Sequence, residues 1–165
     1  MSLWYYANVT LHVLAAMLWL GGMFFLGIVG APVLRGVEPP ELRQQLFHRL
    51  GLRFRTVGWW AIGVLLVTGT INLYYRGWLQ WNGVLGNSAF WRSRPGHALA
   101  AKLAVVTVVL VISAVHDFAI GPLAGREIAG SSKALLFRRR AALLARVNAL
   151  LGVLLVVAAV RLARR

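Results

Sequence analysis

The chain has 165 residues, of which 59% are hydrophobic and only 13% charged, whereas a soluble domain carries about a quarter charged residues. Its formal net charge of +14 comes without any nucleic-acid recognition motif, and basic residues of membrane proteins gather in loops that face the cytoplasm and anionic lipid. With no cysteine, disulfides, thiolate metal sites and cysteine-ligated clusters are excluded. The pattern predicts an all-α integral membrane protein, a single domain over 1–165 built as a four-helix up-down bundle.

The first span is read over 4–31. It contains Asn8 to Ala31, 24 residues with no formal charge and one histidine, His12, where about 20 apolar residues suffice to cross a bilayer. It has no basic n-region and is too long for the core of a cleavable signal. Trp4, Tyr5 and Tyr6 form an aromatic girdle at its start, and Pro32 marks its end. Pro39 and Pro40 then precede ELRQQLFHRLGLRFR, whose Leu42, Leu46, Phe47, Leu50 and Phe54 share one face. This reads as a short amphipathic interfacial helix, with His48 solvated or facing lipid.

The second span is 56–75, with Thr68, Thr70 and Asn72 expected to face the bundle and Trp59 and Trp60 to anchor at the interface. The connection Arg76 to Gly96 holds Trp78, Trp81, Trp91, Arg76, Arg92 and Arg94 and is expected along the membrane surface. The third span is 97–120, with Lys102, His116 and Asp117, and the fourth is 141–162, with Arg146 and Asn148 near its start. Met17 and Met23 read as core filler.

Depth along the spans, at about 1.5 Å per residue, decides which polar groups meet. His12 lies about 12 Å from the face that carries the N-terminus, Lys102 about 7 Å and His116 about 28 Å. Two axial ligands of one haem need nitrogens only about 4 Å apart, from metal–nitrogen distances of about 2 Å. His12 and His116 therefore cannot share a haem, whereas His12 and Lys102 can share a site, with His97 at its rim. Arg76, Arg92 and Arg94 are placed to clamp propionates. His116 belongs to a second polar cluster with Asp117, Arg146 and Asn148, near Arg53 and Arg55.

LHVLAAMLWLGGMFFLGIVGAPVL, with His12, Trp19, Gly21, Gly22 and Pro32, resembles the first helix of the CopD-like copper-resistance family. LLVTGTINLY, with Thr68 and Gly69, resembles that family's second helix, and HALAAKLAVVTVVLVISAVHDF its third, with Lys102 and His116 at matching places. The layout is also similar to the bacterial membrane protoporphyrinogen oxidase family, whose members carry b-type haem. That second resemblance implies His12 and Lys102 as haem ligands. Its fourth-helix Asn-Glu pair is here Asn148–Ala149.

The leading expectation is a b-type haem redox protein that passes electrons to a quinone or a redox partner protein, or oxidises a porphyrinogen, with catalytic residues unknown. The alternatives are copper uptake or handling, with His12, Lys102 and His116 as metal ligands, and an accessory subunit of a larger membrane complex. The loops after the first and third spans hold ten Lys and Arg against six on the opposite side. Both termini are therefore expected outside the cytoplasm of a bacterial inner membrane. Alkaline phosphatase fused after Arg165 is expected to be active in a bacterial host and green fluorescent protein fused there to be dark; the reverse pattern inverts the topology.

Overall fold

The computed structural model describes residues 3–79, 83–128 and 131–163. Four helices in it are long and apolar enough to cross a membrane: α1 (Leu3–Arg35), α2 (Pro40–Tyr75), α3 (Arg94–Ala124) and α4 (Ser132–Ala163). No strand occurs among the described residues. Helices α1 and α2 pack on each other along their length, α3 pairs with α4, and α4 also touches α1. The backbones of α2 and α3 approach each other chiefly at the face opposite the N-terminus, where α2 meets Gly121–Arg126.

Two helices run on past a proline: the first past Pro32, expected to end it, and the third past Pro122. Proline has no N–H, and its ring crowds the carbonyl four residues back. Both helices absorb this by widening the preceding turn into π geometry: Leu26–Gly30 before Pro32, and Val115–Ile120 before Pro122. A wide turn relieves the clash and lets the helix run on. Hence α1 continues to Arg35 and α3 to Ala124.

The expected interfacial helix is not a separate element. Residues 40–55 are the first turns of α2, one unbroken helix of 36 residues, about 54 Å long against a hydrocarbon core of about 30 Å. The overhang is held by contacts with the α3–α4 connection and the start of α4: Gln44 Nε2 donates to the Glu127 carbonyl (3.0 Å), Arg138 donates to Gln44 Oε1 (2.9 Å), and the Arg138 guanidinium lies 5.8 Å from the Phe47 ring centre. α4 begins at Ser132, nine residues before the expected Ala141. Ser131 Oγ accepts from the Ala134 amide (3.1 Å) and caps this end. Arg138, Arg139 and Arg140 thus sit on helix, in the overhang, and not in a loop.

Trp19 is the centre of the packing. It is 7% exposed and clusters with Ala61, Ile62 and Val109, with Leu20, Met23 and Leu151 around them. Small residues make room for it, as they do wherever membrane helices approach closely. A β-carbon on Gly152 would lie 2.9 Å from Leu20 Cδ1 and 3.2 Å from Trp19 Cζ3, and one on Gly58 3.8 Å from Trp19 Cδ1. Met17, by contrast, is 66% exposed and faces outward, so only Met23 reaches the core. Thr70 is also exposed and returns its hydroxyl to the Leu66 carbonyl (2.9 Å) instead of facing the bundle.

Overpacking a filled interface costs about 1–3 kcal/mol. Gly152→Val is therefore expected to lower the melting temperature of the detergent-solubilised protein clearly, whereas Gly58→Ala, whose new methyl meets only an ordinary contact, leaves it close to wild type.

Candidate functional site

Polar side chains inside the spans gather at two depths. Toward the N-terminal face, Thr68 is 2% exposed, and its hydroxyl lies 2.6 Å from the Val64 carbonyl and 2.7 Å from His12 Nδ1. A carbonyl has no proton, so Thr68 must donate to Val64. Its oxygen then accepts from His12, which fixes the imidazole as the Nδ1–H tautomer. The Nε2 lone pair is left unused by any described residue. The ring lies against α2: a β-carbon on Gly69 would sit 3.6 Å from His12 Cε1, an ordinary contact. One turn further toward this face, Asn8 Nδ2 donates to Asn72 Oδ1 (2.9 Å) and to the Thr68 carbonyl (3.1 Å), tying α1 to α2.

Lys102, on α3, is within electrostatic range of His12, and Arg76 within range of Lys102. Lys102 is exposed, because α2 and α3 stand apart at this depth. The Arg76 guanidinium lies 5.6 Å from the Trp78 ring centre. Trp78 in turn packs edge-on against Phe90 (5.2 Å), and Trp91 Nε1 donates to the Leu85 carbonyl (2.9 Å). Arg92, Arg94 and His97 are exposed and have no side-chain hydrogen bond or ion pair with a described residue. Trp81 lies outside the described residues.

Toward the opposite face, the π turn of α3 presents His116 and Asp117 together. His116 Nδ1–H donates to Asp117 Oδ1 (2.7 Å), and Trp59 Nε1–H donates to Asp117 Oδ2 (2.8 Å). Arg55 Nη1 donates to the Asp117 backbone carbonyl (3.2 Å), and its guanidinium lies 5.4 Å from the centre of the Phe118 ring. Trp59 is 5.6 Å from the same ring. Trp59 is therefore an inward hydrogen-bond donor and not a membrane anchor, whereas Trp60 is 75% exposed.

The expected cluster of His116, Asp117, Arg146 and Asn148 divides. Arg146 is exposed and has no hydrogen bond or ion pair with a described residue. Asn148 is 5% exposed, and its Nδ2 donates to Ser113 Oγ (2.8 Å). Its Oδ1 is buried without a partner among the described residues.

The two levels are well separated. Thr68, which holds His12, and Trp59, which holds Asp117, are nine residues apart on α2, about 14 Å. The Trp19 layer lies between them. Sequence reasoning placed His12, Lys102 and His116 but missed Asn8, Trp59 and Ser113 as partners. Asn8 carried a usable signal, since it lies one turn before His12 and an amide inside a span demands a partner. Among the described residues no group of three or more His, Cys, Asp or Glu could hold a metal ion.

A family model described as copper resistance protein D matches residues 48–162. The match includes Lys102, His116, Asp117 and Asn148 but begins after α1 and His12. A protein of Aquifex aeolicus (strain VF5), described as uncharacterized, is 35% identical over 153 residues, covering 92% of this chain and 90% of its own length. No solved structure matches the chain.

The Thr68 hydroxyl alone fixes the His12 tautomer. Nitrogen-15 spectra of histidine-labelled protein are expected to show His12 protonated at Nδ1. Isosteric Thr68→Val is expected to return the ring to the tautomer mixture of a free imidazole, and Thr68→Ser to keep the wild-type signal.

Proposed function

The chain belongs to the copper resistance protein D family, and from that membership we propose that it handles copper inside the membrane, with His12 Nε2 as a ligand nitrogen. The observation that carries this reading is the His12–Thr68–Val64 hydrogen-bond chain. A metal-binding histidine characteristically gives its other N–H to a fixed acceptor, which sets the ring orientation. Imidazole is a suitable ligand for copper, and neither cysteine nor an inward Met17 competes for that role here.

A single oriented imidazole makes a low-coordinate site. Lys102 brings a cationic group into the same low-dielectric region, and like charges repel strongly there. Weak coordination and a nearby cation both shorten an ion's stay, which suits passage of copper as cargo better than its storage.

One observation favours a second reading, b-type haem: His12 and Lys102 occupy the same neighbourhood, on helices that stand apart at that depth. The residues suit the group in part. His12 offers an open Nε2, Lys102 an amine and Arg76 a nearby cation for a propionate, whereas Arg92 and Arg94 are not drawn toward them. A bound haem would supply one-electron chemistry, and these side chains would hold and orient it.

Metal analysis and visible spectra of protein expressed with ample copper and ample haem distinguish the two. Copper handling predicts Cu(I) binding that falls in His12→Ala and weakens by about 10–100-fold in Thr68→Val, which removes only the orienting acceptor. A Soret band lost in both His12→Ala and Lys102→Ala, with no copper bound, would replace this reading by the haem one.

A further inference from the structure

We propose that the extended end of the bundle, opposite the N-terminus, holds an anionic phospholipid, its phosphate bound between Arg43 of α2 and Arg138 of α4, beside Arg35 at the end of α1. The site is remote from His12 and stands whether or not the protein handles copper.

The first observation is depth. α1 has 33 residues and is about 50 Å long, against about 40–45 Å for a bilayer with its headgroups. Its one Lys, Arg, Asp or Glu is the last residue, Arg35. With Trp4 and Tyr6 at one interface, Arg35 emerges among the headgroups of the other. The two further arginines share that level. Arg43 Nη1 donates to the Arg35 carbonyl (3.3 Å). A β-carbon on Gly30 would lie 3.7 Å from Leu50 Cδ2, so the end of α1 runs beside the early turns of α2. Arg138 reaches the same turns through Gln44 and Phe47.

The second observation is charge. Arg43 and Arg138 lie within electrostatic range of each other, and like charges repel unless an anion stands between them. Among the described residues the one carboxylate paired with an arginine is Glu38, 3.4 Å from Arg43 Nη1 and 71% exposed. Exposed pairs of this kind contribute little. Residues 35–55 and 132–146 together carry ten Lys and Arg against two Glu. The neutralising charge therefore comes from outside the chain.

The third observation is that one guanidinium is already held in place. Arg138 is half-buried, donates to Gln44 Oε1 (2.9 Å) and lies 5.8 Å from the Phe47 ring centre, while Gln44 is itself fixed on the Glu127 carbonyl (3.0 Å). A guanidinium has five N–H donors, and the others of Arg138 meet no acceptor among the described residues. Its planar fork matches a pair of phosphate oxygens. Arg139 and Arg140, next in sequence, are exposed and make no hydrogen bond or ion pair with a described residue.

The fourth observation selects a lipid over a soluble anion or an acidic protein. Ile28, Val29 and Val33 lie on α1 just toward the membrane from Arg35, and all three are exposed. An apolar surface thus leads up to the arginines. A phospholipid uses both parts, with an acyl chain along α1 and its phosphate on the guanidinium groups. A soluble anion would use only the second.

The test is titration of the full-length protein in detergent with phosphatidylglycerol and, separately, with phosphatidylcholine of the same chains. Bound lipid is counted by native mass spectrometry and the melting temperature is followed alongside. Wild type is expected to retain phosphatidylglycerol in preference and to melt higher with it. Arg43→Gln combined with Arg138→Gln should weaken that binding about 25-fold, about fivefold for each arginine. Arg139→Gln combined with Arg140→Gln removes the same charge from the same helix turn and should stay close to wild type. Equal weakening in both double variants would overturn the site, because binding would then follow net charge alone. Wild type without preference between the two lipids would overturn it as well. Inorganic phosphate or polyglutamate that displaces the lipid at equal concentration would overturn the lipid as occupant. Should the first double variant fail to fold, Arg43→Gln alone, which loses only contacts of 3.3 and 3.4 Å, takes its place with about a fivefold loss expected.

Discussion

A bilayer core offers no water to satisfy a polar side chain, and the order inside this protein follows from that constraint. Several polar groups in the spans find a partner on a neighbouring helix: His12 and Asn8 on α2, Asp117 on α2 through Trp59, and Asn148 Nδ2 on α3. These bonds set the rotation of each helix about its own axis. Hydrophobicity cannot do so, because lipid tails and leucine side chains are equally apolar. The exposed apolar side chains, such as Met17, Ile28 and Leu150, then face lipid by default.

Between the two polar levels the bundle is sealed by shape. Trp19 reaches from α1 toward α2 and α4, and it fits because Gly152 carries no side chain at its edge. The aromatic layer divides the interior into a compartment around His12 and another around His116. The residues of α2 that hold them, Thr68 and Trp59, are about 14 Å apart along the helix. The compartments differ chemically. His12 is oriented by a neutral hydroxyl with a lysine nearby, whereas His116 is oriented by a carboxylate.

The prolines contribute through the turns they widen. Pro32 and Pro122 each lie just after a π turn, and in α3 that turn brings His116 against its neighbour Asp117. A proline near a helix end is commonly a stop signal. Here it reshapes the turn before it, and the helix continues beyond.

Sequence alone determined the all-α class and the four helices long and apolar enough to span a membrane. Apolar run length and rise per residue are local properties, so they survive whatever the helices do around each other. The same arithmetic kept His12 and His116 apart, as the structure has them, bound to Thr68 and Asp117 at different levels of the bundle. Only the tertiary structure decided which way each residue faces. Trp59 turned inward to Asp117, Thr70 and Met17 turned outward, Asn148 chose Ser113 over His116, and residues 40–55 continued α2 instead of lying along the membrane. Those outcomes depend on helix rotation and on which helices are neighbours. Both are set by contacts between residues tens of positions apart, and a one-dimensional pattern of apolar and polar residues does not encode them.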